Sequence, residues 1–436
     1  MRFSAIISAT ICFIPAALAA QTVDTTATPI TLTEAIRLAQ QNSVTTVQAR
    51  GNLRTSSAAV KQSYAAFLPS FSVSARTQRQ SGDRFDTQGN LVPFTGNPTN
   101  YSTSLTSSLE LFDGGRRFFD IKAAKADVNA ADAGEIAARY NVALQVKQQY
   151  YNILAARESQ SAAQAQIQQA DQQLRASSLR LRAGAATVSD SLRSAVALGN
   201  ARLAFLTAEN NLRVANETLT RLVASSTTVT ATPSDTIDQQ VVIPNMAELE
   251  QLVNKAPAIQ QADAQLAAAH ASVRSAKTAF LPSVSMNFNR GGSGLDPQFG
   301  IGDKRYAYNQ SLSFSLNFPL FNNLNREVTA ARAAVAEDVA SVQARDARLL
   351  ARQTLVQSVA QMKTAQEQVS IQVQTVAAAT EDLRVQQRRY ELGATTLLDL
   401  LTSQTQLDNA RTALIRARYD YRVAKAQLEA LIGRDL

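Results

Sequence analysis

The sequence predicts a duplicated membrane-protein chain of mixed α and β structure, with four β-strands and several very long α-helices. Three observations predict it. The first is an internal repeat. Ala66-Phe67-Leu68-Pro69-Ser70 returns as Ala279-Phe280-Leu281-Pro282-Ser283, an offset of 213 (279 − 66). Gly184 to Asp190 returns as Gly393 to Asp399, an offset of 209 (393 − 184), and Thr218 to Val223 returns at the same offset as Gln427 to Ile432. The second is strict period-two alternation of apolar and small polar residues, which marks strands lying between two different media. The third is a pair of proline-free helical stretches of about 71 residues each, roughly 105 Å at 1.5 Å per residue.

Residues 1–20 read as a secretory signal peptide: Arg2 supplies the charge, Ala5 to Ile14 the apolar stretch, and Ala17-Leu18-Ala19 the cleavage site. Cys12 is the only cysteine and Ile11 precedes it, so neither a lipid anchor, a disulfide nor a thiolate metal site is expected. The first repeat occupies 21–224, with a β-hairpin at 69–112, a long helix at 113–183 and a return helix at 190–224. Thr33 to Ala66 reads as one helix that Pro69 ends. Phe71, Val73 and Ala75 then share one strand face, and Ser72, Ser74 and Arg76 the other. Ser81 to Asn100 is a polar loop with Gly82, Gly89, Pro93, Gly96 and Pro98, and alternation resumes over Tyr101 to Phe112, with Leu109 and Leu111 on one face. Asp113 is the expected cap of the long helix.

Residues 225–245 read as a Ser/Thr-rich linker with Pro233 and Pro244. The second repeat occupies 246–436, with a helix, a hairpin at 282–321, a long helix at 322–392 capped by Asn322, and a return helix at 396–432. Here Tyr306, Tyr308, Leu312, Phe314, Leu316, Phe318 and Leu320 share one face against Asn309, Ser311, Ser313, Ser315 and Asn317. Gly291-Gly292-Ser293-Gly294 reads as a loop between strands and lacks the helix start that phosphate binding needs.

Strands of about 10 to 12 residues suit a tilted span of a bilayer. Four strands cannot close a barrel, and an open edge in lipid is forbidden, so the barrel must be shared between chains. Two copies would give about eight strands and a filled interior; three would give about twelve and a water-filled bore. The net charge of +8 is spread along helices, so a nucleic-acid partner is not expected. His270 is the only histidine, and no nucleophile–base set, metal cluster or phosphate loop is found. Neither an enzyme nor a cofactor is expected.

These residues resemble the TolC family of outer-membrane efflux proteins over essentially the whole mature length. The resemblance rests on the duplication, on the two Phe-Leu-Pro-Ser segments, on Leu111-Phe112-Asp113-Gly114-Gly115-Arg116, and on the turn from Arg389 to Asp399. It implies a homotrimer with a twelve-stranded barrel in the outer membrane and a helical tunnel across the periplasm. Such a duct serves an inner-membrane pump through a periplasmic adaptor and carries small molecules or proteins outward. Two alternatives are a passive outer-membrane porin, which has no use for the long helices, and a periplasmic coiled-coil adaptor or scaffold, which has no use for the alternating strands.

The resemblance also places docking and a gate at the tips where helix pairs turn, Leu181 to Asp190 and Tyr390 to Asp399. Leu181, Gly184, Val188, Leu392, Gly393 and Leu397 are the expected adaptor-docking tips, and Asp190, Tyr390 and Asp399 the expected periplasmic gate. Plain helix capping explains the same glycines and aspartates. A basic and a further acidic gate position of the family are Thr395 and Thr402 here.

Overall fold

The computed structural model describes residues 27–79, 81–93, 99–232, 245–294 and 307–434. The signal peptide, Gly96 and Pro98, Pro233 and Pro244, and Tyr306 lie outside them.

In the first repeat a short strand β1 (Thr28–Ile30) leads to α1 (Leu32–Asn42) and α2 (Val44–Ala65). The single helix expected over 33–66 is thus broken. Ser43 is extended, at φ −61° and ψ 136°, and Asn42-Ser43 is a pair of helix-breaking polar residues. The break lets Ala35 and Ala39 of α1 enter a core with Val146, Tyr150 and Leu219. Strands β2 (Ser70–Arg79), β3 (Asp83–Phe85), β4 (Leu91–Pro93) and β5 (Thr99–Phe112) follow. β3 and β4 pair inside the segment read as a loop. The long α3 (Arg116–Arg182) and its return helix α4 (Val188–Val223) complete the repeat. Strand β6 (Val229–Ala231) interrupts the expected linker and pairs in parallel with β1.

The second repeat runs α5 (Met246–Val253), α6 (Pro257–Lys277), β7 (Ser283–Gly294), β8 (Ala307–Asn317), α7 (Asn325–Glu391) and α8 (Leu397–Ile432). α3 and α7 each hold 67 residues, about 100 Å of helix. Among the described residues no helix is long and apolar enough to cross a membrane.

β2, β5, β7 and β8 form one antiparallel sheet in that order, leaving β2 and β8 as edges. The registers align the two faces. Val73 opposes Leu105, Leu109 opposes Met286, and Phe288 opposes Leu312 on one side. Ser74 opposes Ser104 and Asn287 opposes Ser313 on the other, with the Ser74 and Ser104 hydroxyls 2.8 Å apart. A bulge between Glu110 and Phe112 shifts the frame, so Phe112, opposite Val284, takes the apolar face in place of Leu111. Gly291 to Gly294 lie within β7, not in a loop. A Cβ on Gly292 would stand 2.5 Å from the Tyr308 ring, so the glycine makes room for that ring on the apolar face.

Sheet and helices join through two matched turns. After β5 the chain takes two left-handed residues, Gly114 and Gly115, and α3 starts at Arg116, three residues later than expected. The Asp113 carboxylate still caps this start, accepting from the Gly115 and Arg117 amides at 3.0 and 3.1 Å. It also pairs with the Arg117 guanidinium at 2.9 Å, which stacks 4.5 Å from the Phe67 ring centre. The second turn keeps the conformation without glycine: Asn323 and Leu324 have φ 55° and 61°. Asn322 does not cap α7, because its buried Oδ1 has no partner among the described residues. Arg326 repeats the role of Arg117, donating to the Pro319 and Leu320 carbonyls and stacking on Phe280.

Halfway along the helices a collar ties the pieces together. The Tyr150 hydroxyl donates to the Ile30 carbonyl and accepts from the Thr232 amide, both at 3.1 Å. Arg157 donates to the Ala231 carbonyl and the Thr230 hydroxyl, both at 2.7 Å. Lys147 and Glu429 form a largely buried ion pair between the repeats at 2.7 Å.

Gly114 has φ +68°, and a Cβ there would lie 2.8 Å from the Leu281 Cβ and 3.0 Å from the Thr278 carbonyl oxygen. Gly114→Ala is expected to destabilise the junction by about 2–4 kcal/mol, from left-handed strain and overpacking together. Asn323→Gly, where the same turn is exposed, is expected to cost nothing. Thermal loss of folded gel mobility in detergent reads both, and equal melting of Gly114→Ala and the unmutated chain would contradict the close approach.

Candidate functional site at the helix-hairpin tips

The far ends of α3–α4 and α7–α8 are built alike. Each long helix ends in a left-handed glycine, Gly184 at φ +73° and Gly393 at φ +72°. The Gly184 amide donates to the Leu181 carbonyl and the Ala185 amide to that of Arg180, at 3.0 and 2.8 Å. Gly393 and Ala394 repeat both bonds to Tyr390 and Arg389. This is the Schellman closure, which glycine permits without a Cβ penalty.

Each return helix opens with a capping box. The Thr187 hydroxyl accepts from the Asp190 amide, and Asp190 Oδ2 accepts from the Thr187 amide and hydroxyl at 3.1 and 2.8 Å. α4 therefore begins at Val188, two residues before the expected start. Thr396 and Asp399 form the same box at 3.1 and 2.6 Å, and the Thr395 hydroxyl adds a third bond to Asp399 at 2.9 Å. Those bonds hold both carboxyls below the usual aspartate range, with the threonine hydroxyl of the box as the largest cause in each. Thr402, the other departure from the family pattern, bonds only its own helix at Leu398.

The expected gate residues are not gathered into one cluster within the chain. Asp190 and Asp399 each serve their own helix start. Tyr390 is half-buried and lies under Arg180, whose guanidinium carbon is 4.6 Å from the ring centre. Arg180 Nη1 also donates to the Tyr390 carbonyl at 3.5 Å. Among the described residues of the chain the Tyr390 hydroxyl has no hydrogen-bond partner. Sequence reasoning missed Arg180, because a basic residue in the last turn of a helix reads as a partner of the helix dipole.

The residues expected to dock an adaptor also divide. Leu392 is 83% exposed and Val188 62%, while Gly184 and Gly393 are open and Leu181 is half-buried. Leu397 is 3% exposed and packs with Leu383, Leu400 and Leu407. Within the chain it is thus a packing residue, although it stands at the position equivalent to the exposed Val188 (188 + 209). Beside these tips a groove of about 500 Å³ runs between α3, α4 and α8, lined by Leu192, Arg193, Val196, Leu398 and Leu401 among others.

The profile of the outer membrane efflux protein family matches residues 35–225 and 249–434. The toluene efflux pump outer membrane protein TtgC of Pseudomonas putida is 28% identical over 185 residues, 42% of this chain and 37% of its own length. The match thus spans little more than a third of that relative. Protein CyaE of Bordetella pertussis is 27% identical over 391 residues, 88% of this chain and 79% of its own. Among solved structures CusC covers 92% of this chain with a TM-score of 0.79 at 20% identity, and VceC of Vibrio cholerae covers 93% with 0.74 at 19%. The family match covers both repeats, each with its hairpin, long helix and capped tip, and the chain belongs to the outer membrane efflux protein family.

Proposed function

We propose that this protein is the exit duct of a tripartite efflux or secretion system. Three copies would close a twelve-stranded barrel in the outer membrane and continue it as a helical tunnel through the periplasm. A periplasmic adaptor would join the tips to an inner-membrane pump, which supplies the energy. The observation that carries this reading is the sheet. It has one face of Phe, Val, Leu and Met and one of Ser, Thr and Asn, and it runs directly into helices of about 100 Å. A porin has no use for such helices, and a soluble scaffold has no use for such a sheet. The relatives' names mention toluene and pyoverdine, cargoes of different kinds. The small serines and asparagines of the polar sheet face favour a duct that leaves cargo selection to the pump.

The tips would form the docking ends and the gate. Leu392 and Val188 present apolar surface at the turns, and Gly184 and Gly393 set their shape. Tyr390, Asp190 and Asp399 would narrow the periplasmic end once three copies converge. Arg180 holds Tyr390 against the first hairpin, so it joins the proposed gate. Exposed polar links of this kind are each worth roughly 0–1 kcal/mol, so adaptor contacts can shift the balance towards opening.

Three outcomes test the reading. Tyr390→Phe with Asp399→Ala is expected to raise single-channel conductance in planar bilayers with trimer stability unchanged, and Arg180→Ala to do the same. Unchanged conductance in both would leave these residues as packing and caps alone. Gly393→Pro is expected to abolish export while the protein remains in the outer membrane at normal abundance; normal export would place docking elsewhere.

The depressed pKa values of Asp190 and Asp399 fix the direction of the pH dependence. A carboxyl whose folded pKa lies below its unfolded one stabilises the fold above the unfolded value, about 3.9, and loses that effect as pH falls through the folded value. Protection of the amides at the starts of α4 and α8, taken as exchange relative to the intrinsic rate at each pH, is therefore expected to stay flat from neutral pH to about 4 and to fall only below it. In Thr396→Ala the fall at α8 should be smaller and complete at higher pH. An identical profile would show that the box does not tune Asp399.

A further inference from the structure

The apolar face of the sheet changes character along its length. β5 and β8 run into the long helices beyond Phe112 and Asn317, so the opposite ends of the strands point away from the helices. Towards the helix end this face carries Val284, Met286 and Phe288 on β7 and Leu312, Phe314 and Leu316 on β8. The next row is different. There Arg290 stands opposite Gln310 on one side and Leu105 on the other. β7 keeps an unbroken register against β8 from Ser283 to Ser293, so Arg290 shares the face of Phe288 and not the serine face.

The charge on this face has one sign. Among the described residues of the four strands, the face holds two charged groups, Arg79 and Arg290, and no carboxylate. Arg76 opposes Ser102 and Glu110 opposes Ser285, both on the serine face. Arg79 and Arg290 are exposed, and both belong to the half of the sheet away from the helices.

An aromatic ring shapes the place. Gly292, two residues beyond Arg290, is buried under the Tyr308 ring, and a Cβ there would lie 2.5 Å from it. The ring therefore lies across β7, and the Arg290 guanidinium carbon is 5.6 Å from its centre. Gln310 adds an amide directly opposite Arg290. Neither neighbour supplies a counter-charge, so the guanidinium offers its fork of N–H donors outward to an anion. Height decides which anion. Phe318 to Gln310 covers eight residues (318 − 310), about 27 Å along a strand and about 20 Å of height at a tilt of about 40°, close to the apolar band of an outer-membrane barrel. An outward arginine is tolerated best at the rim of that band, and its long stem carries the charge further towards the headgroups. The rim away from the helices faces the outer leaflet, whose anionic lipid is lipid A with its sugar phosphates.

We propose that Arg290, Tyr308 and Gln310 form an outward-facing seat for a lipid A phosphate, one per chain. Arg79 adds to the positive field of the same rim. The seat rests on the proposed duct, and it fixes the level at which the barrel sits and the lipid that touches it. The guanidinium binds the phosphate by charge-assisted hydrogen bonds, the ring holds the guanidinium in place, and the acyl chains lie along Phe288 and Leu312 below.

Native mass spectrometry of the detergent-extracted full chain with added lipid tests this. Lipid A bearing both phosphates is expected to add in steps up to one per chain. Arg290→Gln, a polar replacement at an exposed position, is expected to weaken that addition at least about tenfold, the size of one charge-assisted contact. Arg290→Lys should lose less, because the charge stays. Dephosphorylated lipid A should bind the unmutated chain as weakly as intact lipid A binds Arg290→Gln. Equal addition of lipid A to the unmutated chain and to Arg290→Gln, at a native mass of three chains, overturns the seat and leaves the duct standing. Phosphatidylglycerol adding as strongly as lipid A, and lost equally in Arg290→Gln, overturns the assignment to lipid A. A native mass of one chain overturns the duct as well.

Discussion

The fold turns on the unpaired backbone of a four-stranded sheet. β2 and β8 each present a free edge, and in hydrocarbon every unpaired amide and carbonyl costs several kcal/mol. Among the described residues no further strand of the chain pairs with either edge. Closure through further copies is the arrangement that satisfies both edges and hides neither face. The apolar face, with Phe71, Phe314 and Leu316 all exposed, suits lipid, and the serine face suits water. Fourteen residues of β5 and twelve of β7 give ample length for a tilted span.

The remaining parts join that sheet to the tips. Arg117 and Arg326 clamp the sheet-to-helix turns by binding carbonyls and stacking on Phe67 and Phe280. The collar of Tyr150, Arg157 and the β1–β6 pair braces the helices at mid-length. Beyond it the helices are held by narrow apolar stripes and, at the ends, by two capping boxes and one arginine–tyrosine stack. The tips are thus held by fewer tertiary links than the collar, as the proposed gate requires.

Much of this is written in local patterns. The offsets of 213 and 209 expose the duplication, period two exposes the four strands, and the Gly-to-Asp spacing exposes both tips. What escapes a reading of the sequence depends on distant neighbours. β1 and β6 are three residues each and find one another across about two hundred positions, so no local signal marks them. Gly291 to Gly294 read as a loop because glycine usually interrupts strands, yet Gly292 is there to admit Tyr308. Val188 and Leu397 hold equivalent positions, and only the helix packed beside each decides that one is exposed and the other buried. Arg180 and Tyr390 are 210 residues apart and meet only when the hairpins lie side by side.

If three chains build one continuous wall from membrane to tip, electron cryomicroscopy of the detergent-extracted particle will show a three-fold axis, a single barrel of about twelve strands in the micelle, and a helical tube of about 100 Å projecting from it. A particle holding one folded chain, or a barrel without the projecting tube, would contradict it.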